Sequence, residues 1–447
     1  MVTPSALFYA NFVFFLHISK KSCTFANYLE INGIIMFGFD TLLKLFCCAF
    51  LSLAAVQWIY FRILKIAKIK HLEDVPDARK LQKQPTPFLG GLAVFFGLTV
   101  GLVLAACLFP DVKSLLPVML ACTVMLYIGS VDDVLGISAG LRALIEALTI
   151  VGLIYSSGMC IDSFHGLWGI QSFSWYWGVP LTVFVGVGLI NAFNMIDGVN
   201  GLSSLICIVC SCLLGTIFYK MGDPVNAALA FCFAGALITF AVHNIFGRKS
   251  CMFIGDGGTM VMGLLVSWFV IRIMSHQGLA SNQMEQTGMN VIAMLLAVVS
   301  VPVFDTLRVM FMRIFRGKSP FVPDKTHLHH LFIELGFSHI FTTLMEVTLG
   351  VVVTFIWYMS YKMGAGVEWQ LYIMLVAAIF LIGGTTATLF YCTSHADLKQ
   401  RIYAKASLSH PKDTKWWYYV RQLVDYRAYD ADQEFEENGY KKNKFNN

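Results

Sequence analysis

Charge is what this chain has least of: Asp, Glu, Lys and Arg together make up 13% of its 447 residues, about half the share of an ordinary soluble domain. Hydrophobic residues make up 57% and the mean hydropathy is +0.67, so a soluble domain is excluded before any motif is read. What is there instead is a series of apolar runs of about 18 to 24 residues, each long enough to cross roughly 30 Å of hydrocarbon as a helix. Eleven such runs are read, over residues 42–64, 88–109, 115–131, 141–157, 177–192, 202–219, 226–246, 259–274, 290–311, 341–361 and 371–391. The expected fold is all-α, a polytopic integral membrane protein. Its multi-spanning domain covers residues 36–392 and a polar tail covers 393–447.

Lys and Arg are nearly missing from every second loop. The loops after odd-numbered spans hold Lys65, Lys68, Lys70, Arg79, Lys80 and Lys83, then Arg142, then Arg248 and Lys249, then Arg313, Arg316, Lys318 and Lys325. The even loops have little beyond Lys113, Lys220 and Lys362. Cytoplasmic loops retain Lys and Arg, so the odd loops and the tail are expected inside. The first 35 residues lack a run long enough to span and lack a convincing small-residue cleavage site. An overlong start, with Met36 as the alternative first residue, and a signal peptide both stay open there.

Twelve cysteines are present, but Cys207, Cys210 and Cys212 lie inside an apolar run with no His or acid close in sequence. Packing is the reading for them, rather than redox or metal chemistry. Polar groups concentrate in five odd-loop segments. The first runs from Val75 through Asp77, Arg79, Lys80, Gln84 and Pro85-Thr86-Pro87 to Gly90 and Gly91, where paired glycines allow close backbone approach. Asp132 and Asp133 end the third span, ahead of Arg142, and acids at that depth are costly unless they are compensated. In Asn191-Ala-Phe-Asn194-Met-Ile-Asp197-Gly198-Val-Asn200-Gly201, helical spacing sets Asn191, Asn194 and Asp197 near one face, a set of oxygen donors that suits Mg²⁺. Phe253-Ile-Gly-Asp256-Gly-Gly-Thr259 places glycines and a helix N-terminus beside one acid, an arrangement that favours phosphate and a hard cation. The ninth loop carries Arg308, Arg313 and Arg316, then His327-Leu-His329-His330. Zinc is the lesser reading of these histidines, since cysteine is absent and Asp324 is the one acid nearby; donors to phosphate oxygens are the better one.

The order of these five segments resembles the polyprenyl-phosphate N-acetylhexosamine-1-phosphate transferases, from about Asp77 to His330. His327-Leu328-His329-His330 resembles the histidine signature of the bacterial N-acetylglucosamine-type members, whereas Gln82 departs from a His often found there. The resemblance implies transfer of an N-acetylhexosamine-1-phosphate, of the N-acetylglucosamine type, from a UDP-sugar to undecaprenyl phosphate with release of UMP. It also implies a site at the cytoplasmic face of a bacterial inner membrane, initiation of a cell-envelope glycan, and a need for Mg²⁺, with Mn²⁺ as a substitute. By resemblance Asn194 and Asp256 hold the metal, and Asp132, Asp133, Asp197, Arg142, His327, His329 and His330 are catalytic. Arg79, Lys80, Asn191, Asn200, Phe253, Arg313 and Arg316 bind substrate. The partners implied are the UDP-sugar, the polyprenyl phosphate and the membrane, with no nucleic acid; a homodimer is compatible. The rival class is an ion-coupled transporter, prompted by Glu146, Asp305 and Glu346 inside the spans. Against it stand acid and amide clusters at span ends and no evident inverted repeat.

Overall fold

The computed structural model describes residues 35–74, 85–277, 287–319, 325–408 and 416–428. Arg79, Lys80 and Gln82, the first 34 residues and the end of the tail lie outside the described residues. The chain divides into two compact units, Met1–Cys47 and Cys48–Asn447. The site described below belongs wholly to the second.

Long helices carry the fold: α1 (Ile35–Ile69), α2 (Gly90–Leu108), α3 (Leu116–Leu135), α4 (Ala139–Ser157), α5 (Trp175–Met195), α6 (Leu202–Lys220), α7 (Pro224–Phe246) and α8 (Gly255–Met274). After them come α9 (Val291–Val298), α10 (Ser300–Phe315), the short α11 (Leu328–Glu334), α12 (His339–Lys362), α13 (Val367–Ala378), α14 (Gly384–Ser394), α15 (Ala396–Leu408) and α16 over residues 416–428. Sheet structure among the described residues amounts to one antiparallel pair, β1 (Glu73–Asp74) with β2 (Thr86–Pro87). Among the described residues ten helices are long and apolar enough to cross a membrane, with α13 and α14 counting as one through the turn Ile379–Gly383, and the pair α9 and α10, bent by 79°, makes an eleventh if it crosses. The chain is a polytopic all-α membrane protein, as its hydropathy predicts.

The ninth span departs from expectation, since residues 290–311 read as one helix and fold as two. The sequence reason is Pro302, which has no N–H to give to the carbonyl four residues back. That carbonyl, of Val298, takes the Cys210 thiol of α6 instead, at 3.3 Å, and the Ala297 carbonyl takes the Thr354 hydroxyl of α12 at 3.1 Å. In hydrocarbon a freed carbonyl is costly, and neighbouring side chains hold the break. Cys210 therefore packs, as expected, and also caps.

Helices α7 and α8 form the centre. Over their most apolar stretches 83% and 94% of residues are buried, against 22% for α4. Helix α8 packs on α3, α5 and α2, while Leu116, Leu120 and Tyr127 of α3 and Phe184 of α5 stay exposed to the lipid side. Glycines permit the close crossings. A methyl group on Gly129 would lie 2.3 Å from the Gly257 nitrogen, and one on Gly91 would lie 2.5 Å from the Gly258 Cα. The first turn of α8 is thereby locked between α2 and α3, and its acid, Asp256, is fixed at the end of the most enclosed span among the described residues.

Candidate active site

At one end of the bundle the span ends enclose a cavity of about 790 Å³, lined by Asp74, Phe88, Asp133, Asp197, Asn200, Asn244, Cys251, Phe253, Asp256, His330 and His339 among others. Four of the five segments singled out by sequence meet there, and the described end of the first, from Thr86 to Gly91, joins them. The Gly90 and Gly91 amides donate to the Phe253 and Ile254 carbonyls, and the Phe253 amide donates to the Pro87 carbonyl at 2.7 Å. The paired glycines thus serve backbone contact with the α7–α8 loop.

The two aspartates that end α3 have different partners. Asp132 accepts the Ile137 amide at 2.6 Å and the Arg142 guanidinium at 3.2 Å. Asp133 turns to α8, where both its oxygens accept the Asp256 amide, at 3.1 and 3.0 Å. A carboxylate beside a helix N-terminus is favoured by the exposed N–H groups and the dipole. This alters the reading of the glycine-rich segment: the amide expected to face phosphate is already taken by Asp133. Two neighbouring acids coexist because one faces a guanidinium and the other a helix end.

Arg142 is the hub that joins α3, α4, α5 and α8. It donates to Asp132, to the Asn191 oxygen at 3.0 Å and to the Asn194 oxygen at 3.4 Å, and it stands 3.4 Å from Glu146 and 3.7 Å from Asp256. Asn191 in turn donates to Glu146 at 2.5 Å and to the Val187 carbonyl. Fully buried Glu146 therefore belongs to the site as the residue that holds Arg142 and Asn191. Its four-residue spacing from Arg142 was the available signal. Asn194 donates to Asp256 and to the Thr259 hydroxyl, both at 2.9 Å.

Asp197 accepts the Ser203 hydroxyl at 2.6 Å and opens to the cavity. Enclosure by protein pushes its pKa up to about 6, against the pull of that hydrogen bond, and Asp256 adds to the rise. Asn200 is tied into the wall: its amide group donates to the Asn244 carbonyl at 3.0 Å, and its own carbonyl accepts the Thr343 hydroxyl.

The histidine segment is built on a second buried hub. Asp305 of α10 accepts from Arg308 at 2.6 Å, from His327 Nδ1 at 2.8 Å and from the Leu328 amide at 3.3 Å. His329 is buried against Gly198, where a methyl group would lie 2.3 Å from its Nε2. Burial, then the neighbouring His330 and His327 rings, push its pKa well below the usual imidazole value, so the ring is neutral. Of the three histidines His330 lines the cavity, while His327 and His329 stand behind it. Arg313 is buried in α10 and Arg316 is exposed, and neither lines the cavity. With Glu146 and Asp305 absorbed into these networks, two of the three acids behind the transporter reading have other roles; Glu346 of α12 is buried with no hydrogen-bond partner among the described residues.

Among the described residues no three of His, Cys, Asp and Glu gather closely enough to hold a metal by themselves. The donor set nevertheless fits a hard cation that also takes oxygens from a substrate, since Mg²⁺ commonly uses one or two carboxylates plus phosphates and water. Asp256, with 38% of its side chain exposed, and Asp197 both face the cavity. Asn194 turns its nitrogen to Asp256 and its oxygen to Arg142, so it would ligate a cation at Asp256 only with its amide reversed.

Residues 115–274 match the model of glycosyl transferase family 4. The undecaprenyl-phosphate alpha-N-acetylglucosaminyl 1-phosphate transferase of Escherichia coli (strain K12) is 28% identical over 344 residues, covering 74% of this chain and 86% of the relative. The one from Yersinia pestis is 27% identical over 336 residues, 74% of this chain and 87% of its own. A probable undecaprenyl-phosphate N-acetylglucosaminyl 1-phosphate transferase of Bacillus subtilis (strain 168) is 27% identical over 312 residues, 70% and 83% respectively. Family match and relatives agree with the motif order: the centre of the chain is similar to glycosyl transferase family 4, and most of its length is similar to bacterial undecaprenyl-phosphate N-acetylglucosaminyl 1-phosphate transferases.

Proposed function

We propose that this protein transfers N-acetylglucosamine-1-phosphate from a UDP-sugar to undecaprenyl phosphate, releasing UMP and starting a lipid-linked cell-envelope glycan. The reaction would run at the cytoplasmic face of a bacterial inner membrane, the side to which the Lys- and Arg-rich loops point. The observation that carries this reading is the meeting of Asp133, Asp197 and Asp256 in one large cavity at span ends, with Arg142 held against Asp256. Such a place suits an acceptor whose tail stays in lipid and a donor that arrives from water.

In the reaction an oxygen of the lipid phosphate attacks the phosphorus that bears the sugar. A new P–O bond forms, the bond from that phosphorus to the UMP phosphate breaks, and the electron pair leaves on UMP. The attacking phosphate has a second pKa near 6 and is largely dianionic at pH 7, so proton removal contributes little. Repulsion between two anions is the main obstacle, and fixed positive charge is the remedy. Arg142, oriented by Asp132, Glu146 and Asn191, supplies such charge without reorganising. His330, which lines the cavity, would donate to pyrophosphate oxygens, and Asn200 and Phe253 would wall the nucleoside. Asp256 and Asp197 would hold Mg²⁺, which when bound neutralises phosphate oxygens.

The test is purified protein with radiolabelled UDP-N-acetylglucosamine, undecaprenyl phosphate and Mg²⁺. Label should enter an organic-extractable lipid with one UMP released per sugar. EDTA should stop transfer, and Asp256→Ala should abolish it with membrane insertion intact. Absence of lipid-linked label in the wild type, or normal Mg²⁺-dependent turnover by the Asp256 variant, would overturn the reaction or the metal assignment respectively. A panel of UDP-aminosugars reads the sugar.

A further inference from the structure

The loop between α7 and α8 reaches the cavity from a clasp made by the far end of the chain. Asp425, on α16, accepts hydrogen bonds from three consecutive backbone amides: Arg248 at 3.0 Å, Lys249 at 3.2 Å and Ser250 at 3.0 Å. It also accepts the Ser250 hydroxyl at 2.7 Å. Charge-assisted bonds of this kind are the strong ones, and four donors on one carboxylate fix the loop's path. The helix that brings Asp425 there is itself seated, since Trp417 is buried edge-on to Phe246 with ring centres 5.4 Å apart, and Val424 and Ala428 are buried too. From below, Tyr60 of α1 donates to the Ser250 carbonyl at 2.8 Å and Lys68 donates to the Lys249 carbonyl at 3.2 Å.

Beyond Ser250 the chain becomes the cavity wall at once. Cys251 donates to the Asn244 carbonyl, and the Asn244 amide group donates to the Met252 carbonyl at 2.9 Å. Asn200 donates to that same Asn244 carbonyl, and Phe253 is pinned to Pro87. The wall from Cys251 to Phe253 therefore hangs between two anchors, the β2–α2 corner and the Asp425 clasp.

We propose that Asp425 is a positioning residue for the donor nucleotide: its clasp on residues 248–250 sets the Cys251–Phe253 wall, and the C-terminal helix is a working part of the site. The nucleotide half of this inference rests on the function proposed above; the clasp half does not. Cys251 supplies an independent readout. Burial pushes its thiol up to about 12, and the Asp425 charge adds to the rise, so it should alkylate slowly in the intact protein.

The experiment compares full-length wild type, Asp425→Asn and Asp425→Ala in detergent, with folding checked by size exclusion. Asp425→Ala should raise the KM for UDP-N-acetylglucosamine about tenfold and speed Cys251 alkylation, read peptide by peptide in a mass spectrometer. The KM for undecaprenyl phosphate and kcat should move less than about twofold, and Asp425→Asn, which keeps one acceptor oxygen, should fall between. Unchanged Cys251 reactivity would overturn the clasp, as would a gain in activity, which would mark the tail as a plug. Faster alkylation with an unchanged donor KM would overturn the nucleotide role. A wild type that transfers no sugar would sink the proposed reaction, and the alkylation rates would still decide the clasp.

Discussion

Asp197 shows how enclosure and solvent compete at a single residue. Its pKa of about 6 lies above the value near 4 of an unfolded chain. The protonated acid therefore contributes stability that is fully present below about pH 4 and lost as pH rises through about 6. Above that point the ionised group weighs only modestly on the metal-free fold, because its side chain opens to the cavity and solvent offsets much of the cost of enclosure. Asp197→Asn keeps an oxygen for Ser203 and has no charge to bury, so in EDTA it should melt higher than wild type at pH 8, and the gap should shrink at pH 5. Adding Mg²⁺ at pH 8 should narrow or reverse the difference, because a cation that binds only the folded wild type stabilises it by mass action. A gap of the same size at both pH values in EDTA would show that burial of the ionised carboxylate is not its source. Other residues differ in how readable they were. Glu146 follows Arg142 by one helical turn, whereas nothing local foretold that Asp133 would accept the amide of Asp256, 123 positions away. Long-range pairs of that kind are fixed by tertiary packing, and a single sequence does not display it.

The ninth span makes the same point for an element. Ten of eleven spans were legible because hydrocarbon demands about 20 apolar residues whatever the packing. The break at Val299 was not, because residues on both sides of it are apolar, and hydropathy cannot tell a straight helix from a bent one. Pro302 was the mark, and the structure shows its consequence in the Cys210 and Thr354 hydrogen bonds to Val298 and Ala297. If those bonds hold the bend, Cys210→Ala and Thr354→Val should each cost about 0.5 to 1 kcal/mol. The double variant should cost roughly their sum, and Cys212→Ala, half-buried on the same helix, should cost nothing. Unfolding in mixed micelles titrated with denaturing detergent gives the numbers. Single variants indistinguishable from Cys212→Ala would mean that the bend is held by apolar packing alone. The bend matters to the site because α10 carries Asp305, and Asp305 sets His327 and the start of α11.

For the whole molecule the question is whether the bent pair crosses the bilayer, since one crossing more or fewer moves every later loop to the other side. Contacts within the second unit answer it. The loop after α4 meets the loop after α8 where Asp162 accepts from His276, and Asn290, at the start of α9, donates to the Val367 carbonyl at 2.7 Å. Those loops share one face. On the other, His329 packs on Gly198, Asp133 meets Asp256, and Asp425 clasps residues 248–250. Helix α9 therefore begins on the first face and α10 ends on the second, so the pair counts as one crossing and the alternation of Lys and Arg along the sequence had the right parity. An impermeant thiol reagent on a variant stripped of its natural cysteines checks this directly. Gly140→Cys, where a side chain meets open space, and Lys318→Cys should be labelled from one side of sealed vesicles, and Lys220→Cys from the opposite side. Were Gly140→Cys and Lys318→Cys to react from different sides, α9 and α10 would not form one crossing, and the histidine segment could not meet the aspartates that line the cavity.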